Sequence, residues 1–354
     1  MNPPPDPEQR SRAQREPFDA AAKGLDWLAA HQLPSGELAA HASPLGEGVE
    51  PDWQPDSLKF ITALIALACD EIDDPRARSV TDRAVEFLLS EREGPALWRY
   101  WTRTNDLFDY TPPDADDTAC CSMAVNTRGH QTSENTSVLV ANRDPHGRFY
   151  TWLIPHRGVR SPRYLWTVRD EFRKATKARR AELWANSEAW PDDVDGVVNA
   201  NVIRYLGTES PPAAVEWVAS LIESNQEDDC DSWHRNRYTL YASIADAARK
   251  GVRRFEELAP MIIERIDSKV DTHGSVGPPL DTALALVALQ RFDGPSELQV
   301  RLAESLVHRQ LEDGSWERSV FYYGGPDEVF GWASEALTTA TAVLALWRLG
   351  ASVR

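Results

Sequence analysis

Apolar segments with the period of an α-helix recur along the chain, and every second one is apolar around most of its circumference. Phe18–His31 carries Leu25, Leu28 and Ala29 on one face and breaks at Pro34-Ser35-Gly36. Pro55–Ala68, Arg78–Ser90, a segment from Asp114 through Val125, Pro162–Trp184, Val194–Leu206 and Ala213–Ile222 follow. Ser232–Ala248, Phe255–Ile266, Pro279–Leu289, Ser296–Val307 and Trp332–Leu349 complete the series. A helix apolar all round belongs inside an assembly, and a one-sided helix belongs outside it. About twelve helices alternating in this way predict an all-α fold, a single-domain (α/α)6 double-ring barrel or α-α toroid. A solenoid or bundle is the alternative. The final pair is as apolar as the central ones and needs neighbours on both sides, which favours the closed ring. Ser137–Val140 reads as a small strand or a packed loop.

With 354 residues, 42% hydrophobic, and 13 Trp, the chain has ample material for one large core. Residues 1–16, rich in Pro, Arg, Asp and Gln, predict a loose tail; residues 17–354 form the toroid, with an insertion at 126–163. No apolar stretch reaches the roughly 18 to 20 residues that span a bilayer, and the N-terminus lacks a signal-peptide pattern. A cytoplasmic protein without a membrane span is expected. The net charge of -17 repels nucleic acid and anionic lipid. A diphosphate would need a local basic patch; Arg157, Arg160 and Arg163, or His234, Arg235 and Arg237, supply candidates that also read as ordinary loop or helix-end charge. Cys69, Cys120, Cys121 and Cys230 lack the paired spacing of a zinc site, so no zinc is expected.

The chemistry concentrates in Asp114-Ala115-Asp116-Asp117-Thr118-Ala119, at a helix start after Pro112-Pro113. Acids there cap free amides and face the positive dipole end. Asp56, Asp193, Asp195, His234, Asp281 and Glu335 take similar positions, and closing the ring brings these ends to one mouth. Asp114 and Asp117 share a helix face while Asp116 points elsewhere. Like charges this close raise at least one pKa, and burial raises it further. One carboxyl group could then stay protonated and pass its proton to an alkene or epoxide.

The resulting carbocation needs a dry pocket with aromatic faces. Trp98, Tyr100, Trp101, Tyr110, Trp233, Tyr238, Tyr241, Tyr322, Tyr323 and Trp332 are candidates, most of them core packing on any reading. Asn199 and Asn201 sit in an otherwise apolar helix, where an unpartnered amide costs roughly 1 to 3 kcal/mol. Each is a tie between helices or a substrate contact. The polar helix start Ser232–Tyr238 offers His234 as a proton acceptor, or as a cap. Composition alone leaves other chemistry open. With Asp192-Asp193-Val194-Asp195, the cluster could hold magnesium, or supply the acid and base of a glycosidase.

Asp114–Ala119 resembles the Asp-x-Asp-Asp-Thr-Ala signature of class II terpene cyclases, including squalene–hopene cyclases. Gln310-x-x-x-Gly314-x-Trp316 is similar to their repeated Gln-Trp motif. Gln32-x-x-x-Gly36 resembles a degenerate copy ending in Leu38, and Asp144–Phe149 and His273–Val276 resemble weaker remnants. The resemblance implies a double ring of helices, Asp116 as general acid, Asp114 and Asp117 orienting and tuning it, and Gln310 and Trp316 as structural ties. It implies protonation-initiated cyclisation of a linear isoprenoid, with an isoprenyl diphosphate accompanied by Mg2+ as the expected substrate. Trp98, Tyr110, Asn199, Trp233, His234, Arg235, Tyr238 and Trp332 are the expected substrate contacts. Members usually place the site between two helical domains, whereas this chain has length for one ring. A second subunit or a homo-oligomer could therefore complete the site. The alternatives are a noncatalytic ring that binds an isoprenoid or a protein, and a carbohydrate-active (α/α)6 enzyme.

Overall fold

A computed structural model describes residues 7–46, 50–187, 189–324 and 329–351. Helix α1 (Pro7–His31) is followed by strands β1 (Ala40–Pro44) and β2 (Gln54–Asp56), then helices α2 (Phe60–Asp70), α3 (Pro75–Ser90), α4 (Ala115–Asn126), α5 (Ser133–Ala141), α6 (Pro162–Thr167) and α7 (Lys174–Asn186). Helices α8 (Gly196–Leu206), α9 (Pro212–Glu223), α10 (Arg237–Arg249), α11 (Arg253–Glu256), α12 (Ala259–Lys269), α13 (Pro279–Arg291) and α14 (Ser296–His308) come next. Strands β3 (Ser319–Gly324) and β4 (Phe330–Ser334) lead into α15 (Glu335–Ala351). Residues 7–16 of the expected tail thus belong to α1, and residues 1–6 lie outside the described ones.

The fold is predominantly α-helical, and burial sorts the helices into two kinds. Every residue of α4 from Ala115 to Val125 is buried, and α8 and α13 are buried almost all round. Helix α12 buries only Ile262 and Ile266, and α14 buries a stripe through Leu298, Leu302, Ser305 and Leu306. The first kind pack in sequence: α2 on α4, α4 on α8, α8 on α10, α10 on α13, α13 on α15, and α15 back on α2. The second kind flank them, with α1 against α15, α3 and α14, and α9 against α8.

Two local expectations are corrected. The fold is not purely α: an antiparallel sheet runs in the order β2-β1-β4-β3, with Ala42 opposite Trp332 and Tyr322 also opposite Trp332. β-branched and aromatic side chains such as Val320, Phe321, Tyr322 and Trp332 suit a half-buried pleated surface. Apolarity alone had merged Trp332–Ser334 into the last helix. Ser137–Val140, in turn, lies within α5, and is neither strand nor loop.

One tie recurs between layers. Gln310 Nε2 donates to the carbonyls of Gly314 and Ala20, and Gln32 Nε2 donates likewise to Gly36 and Val80. The degenerate copy therefore keeps the geometry of the full one. Trp316 donates its indole N–H to the Leu306 carbonyl at 2.7 Å and its backbone N–H to Thr339 Oγ1 at 3.2 Å. Trp98 repeats both bonds, to the Leu88 carbonyl at 2.8 Å and to Thr118 Oγ1 at 3.2 Å. Leu38 and Phe149 donate their backbone N–H groups to Thr62 Oγ1 and Asn199 Oδ1 in the same manner. Trp98 is thus a fully buried structural residue, not a pocket wall. Truncating either indole should cost about 3–5 kcal/mol. Urea denaturation should show that loss for both Trp98→Ala and Trp316→Ala; near-native stability in Trp98→Ala would contradict the structural assignment.

Candidate active site

Pro112 and Pro113 are followed by Asp114 in an extended conformation, and α4 begins. Asp114 caps the helix by accepting the Asp117 N–H at 2.7 Å. That cap leaves Asp116 in the first turn, where the helix dipole favours a negative charge. Its two oxygens have separate partners. Oδ1 accepts from Asn201 Nδ2 on α8 at 2.7 Å, and Oδ2 lies 3.2 Å from His234 Nε2, just before α10. Ser243 on α10 donates to Asn201 Oδ1 at 2.8 Å, which fixes which end of the amide faces Asp116.

All three aspartates are buried. Burial, then the charge of Asp117, holds Asp114 well above the usual carboxylate range. Asp117 is pushed up to about 7, chiefly by burial; the Asp114 bond, Lys59 and His234 oppose the rise, and Asp116 adds to it. Asp117 Oδ1 is buried with no hydrogen-bond partner among the described residues, which a neutral carboxyl tolerates better than a carboxylate. Burial alone would lower the His234 pKa. The bond to Asp116 and the charges of Asp231, Asp116 and Asp195 outweigh it, so His234 holds its proton more tightly than a free imidazole.

A second acid pair braces the His234 loop. Asp231 accepts the N–H groups of Trp233, His234 and Val197 at 2.8–2.9 Å. Asp195 accepts from Thr151 Oγ1 at 2.5 Å and from the Ser232 N–H at 2.9 Å, and is pushed up to about 7 by burial and by Asp231. These acids fix backbone; they are not opposed to Asp116 across a groove.

The cavity lies among the helices that pack in sequence. Phe60, Leu64 and Leu67 of α2, Ala242 and Ser243 of α10, Leu280, Leu284 and Val287 of α13, and Leu337, Thr341 and Leu344 of α15 line it, with Phe321 from β3. Asn201 and His234, the two groups that hold Asp116, also line it. This cavity, about 100 Å³, shares Leu67, Glu71, Arg204 and Asp246 with a surface groove of about 380 Å³ at the C-terminal helix ends. Together they fall in the range of small-molecule sites, ~300–1,000 Å³.

Of the expected substrate contacts, only His234 lines this cavity. Trp233 and Trp332 belong to an aromatic cap above the acids. Trp233 stacks on Tyr322 at 5.4 Å, Tyr322 stacks on Tyr100 at 5.0 Å, and the edge of Trp332 meets both tyrosines. The Trp332 and Trp101 indoles both donate to Asp56. Tyr110 adjoins Trp101 and donates to the Glu182 carbonyl. Tyr238 packs on Tyr241, and Arg235 is half-buried in the loop before α10. Asn199 ties α8 to the Phe149 backbone through both its amide atoms. Its neighbour Asn201, two residues on, reaches the acid instead. Sequence periodicity flagged both amides without separating them. Phe60 and Ser243 carry no polar or aromatic clustering that would single them out, whereas Asp231 ends the acidic run Glu227-Asp228-Asp229-Cys230-Asp231, a signal the sequence reading passed over.

No protein-family model matches the sequence, and no curated protein matches it. Solved structures do match its fold. A protein from Actinoplanes superposes with a TM-score of 0.70 at 17% identity, over 95% of this chain and 99% of that one. A variant of the type II terpene cyclase MstE from Scytonema, in complex with geranylgeranyl dihydroxybenzoate (substrate), gives 0.66 at 14% identity, over 96% and 99%. The ent-copalyl diphosphate synthase from Streptomyces platensis gives 0.51 at 14% identity; this chain covers half of its length. The chain therefore shares the fold of a type II terpene cyclase over nearly the whole of both chains.

The Asp117 carboxyl group binds its proton more tightly in the fold, at about 7, than in the unfolded chain, at ~4. Its contribution to stability is fully present below pH ~4 and is lost as pH rises through about 7. Asp117→Asn should therefore raise the melting temperature more at pH 8 than at pH 5. Equal shifts at both pH values would contradict the buried, neutral carboxyl.

Proposed function

We propose that this protein is a class II terpene cyclase-like isomerase on a closed (α/α)6 double ring, with Asp116 as the general acid. The observation that carries this reading is Asp116 itself: buried, held through both oxygens, and held by two residues that line a mostly apolar cavity. The cycle of packing from α2 round to α15 and back supports the closed ring. The shared fold with a cyclase that binds a geranylgeranyl substrate supports the substrate class, a linear isoprenoid.

In this reading the substrate's terminal double bond takes the Asp116 proton with its π electrons and becomes a tertiary cation. Successive double bonds close rings onto it, and loss of a proton or capture of water ends the sequence. Asp116 is left as a carboxylate. The Asn201 N–H and His234 bonds strengthen on that charge, which lowers the barrier to donation. Asp114 and Asp117 hold their protons and are neutral at mildly acidic pH, so they do not oppose a new charge beside them. The aliphatic lining keeps water from the cation.

The other readings fit the geometry less well. A noncatalytic ring would be favoured by Asp116 salt-bridged to an arginine, whereas its partners are Asn201 and His234. A glycosidase would need two acids facing one groove, whereas Asp195 is committed to Thr151 and Ser232. Magnesium would enter only as the counter-ion of a diphosphate. Glu71 and Asp246, the acids on the cavity, are engaged by arginines, so the residues there do not fit a magnesium site and no step runs through a metal.

Asp116→Asn should lower cyclisation ~10²–10⁴-fold or more with the fold intact. Asn201→Leu should lower kcat roughly 10²-fold with little change in KM, because its bond strengthens only as charge develops. Product assays with geranyl, farnesyl and geranylgeranyl diphosphates, alongside circular dichroism, check both. Full activity in Asp116→Asn would sink the assignment.

A further inference from the structure

Lys59 is fully buried, as deep as Trp98, Trp316 and Phe60. A lysine is almost never found there unless a carboxylate pairs with it. Its backbone N–H donates to the Tyr100 carbonyl at 3.1 Å, which sets the residue immediately before α2. Among the described residues its Nζ makes no hydrogen bond.

The neighbours on one side do not account for this ammonium group. Glu91 Oε2 lies 3.5 Å from Nζ, but the same oxygen already accepts the Arg103 N–H at 2.8 Å. Glu93 is held by Arg99 through both oxygens, at 2.8 and 2.7 Å. The Phe108 ring, 4.9 Å from Nζ, also meets the guanidinium groups of Arg99 and Arg103, at 4.5 and 5.6 Å, so it is not reserved for the lysine.

The other side is the acid cluster. Helix α2 packs on α4, and Asp117 stands in the first turn of α4 with Oδ1 unpartnered among the described residues. A buried donor and a buried acceptor, both unmet and on packed elements, complement one another. Burial holds Lys59 below a free lysine, and Glu93, Glu91, Asp117 and Cys121 oppose that fall. Lys59 in turn restrains the rise of Asp117, which Asp114, Asp116 and His234 face as well. Tyr100 and Cys121 complete the titratable groups around it.

Building on the cyclase reading, we propose that Lys59 is a positioning residue that acts on Asp116 through Asp117. Its ammonium group orients the Asp117 carboxyl and offsets the negative charge that the cluster gains when Asp116 gives up its proton. Lys59 keeps its own proton throughout: the Asp116 O–H bond breaks, and the substrate's π electrons form the new C–H bond. Asn201 and His234 line the cavity and Lys59 does not, so it tunes the acid without touching the substrate. A positive charge favours the ionised form of a neighbouring carboxyl group. Without Lys59 the cluster is a weaker acid that stays protonated to higher pH.

The test compares the full-length wild type with Lys59→Met, Lys59→Gln and Lys59→Arg. With the isoprenoid that the wild type cyclises, Lys59→Met should lower kcat ~10-fold at unchanged KM and move the alkaline limb of the kcat profile up by about one pH unit. Lys59→Gln should act in the same direction, and Lys59→Arg should restore both. The melting temperature should hold or rise in Lys59→Met, because an apolar chain of similar length replaces a buried charge. Infrared titration of the unliganded protein, with Asp117→Asn assigning the band, should place the Asp117 midpoint above its wild-type value of about 7 in Lys59→Met. An unmoved alkaline limb and an unmoved midpoint, or a fall in kcat that only follows a lower melting temperature, would overturn the role of Lys59 and leave the cyclase reading standing. A wild type that turns over no isoprenoid would overturn the cyclase reading, and the role of Lys59 in catalysis with it, even if the infrared midpoint moves.

Discussion

The interior depends on how one buried carboxyl group is satisfied. Asp116 is buried, and a buried carboxyl without partners is costly. Its two partners come from different helices: Asn201 from α8, and His234 from the loop entering α10. The bonds form only if α4, α8 and α10 stand side by side with their N-terminal halves level, which their consecutive packing provides. Ser243 then fixes Asn201, and Asp231 fixes the His234 backbone. Each is a support for the acid, and none of them touches the aliphatic part of the cavity by polar chemistry other than through Asn201, His234 and Ser243.

The two ends of the buried helices differ in sign. Acids gather at the N-termini, where dipoles favour negative charge; arginines and Lys250 gather at the C-termini, where dipoles favour positive charge. Between them the walls are Leu, Ala, Val and Phe with a few hydroxyls. The sheet and the stacked Tyr100, Tyr322 and Trp233 cover the acid end. A polarised cavity with mostly apolar walls suits the isoprenoid substrate proposed above. It also carries a stability cost, because Asp114, Asp117, Asp195 and Asp231 are all buried with raised pKa values. A site built for protonation concentrates groups that a core built for stability would omit.

Much of this was legible in the sequence because it depends on local pattern. Helix period and all-round apolarity separated α4, α8 and α13 from α12 and α14. The crowding of Asp114, Asp116 and Asp117 marked the acid end, and Gln310 with Trp316 marked the tie between layers. What escaped depends on distance across the fold. Asn199 and Asn201 look equivalent in a helix, yet a two-residue step turns one to the Phe149 backbone and the other to Asp116. Trp98 sits among aromatic neighbours in the sequence, but its bonds to Leu88 and Thr118 make it a counterpart of Trp316. The basic mouth draws Arg204, Arg291 and Arg348 from three separate helices and Lys250 from the turn after a fourth, α10. No window of sequence contains such a cluster. The sheet escaped because its strands are short and its central pairing, β1 with β4, joins opposite ends of the chain.

The central claim is that a proton passes from Asp116 to the substrate. A general acid that turns over must regain its proton from solvent, so the reaction can be run in D2O and the product examined by mass spectrometry and NMR. The account predicts a cyclised product carrying one deuterium at the terminus that was protonated, with the head group still attached. A product lacking that deuterium, or one that has lost its head group, would mean that the reaction begins by ionisation elsewhere and that Asp116 is not the acid.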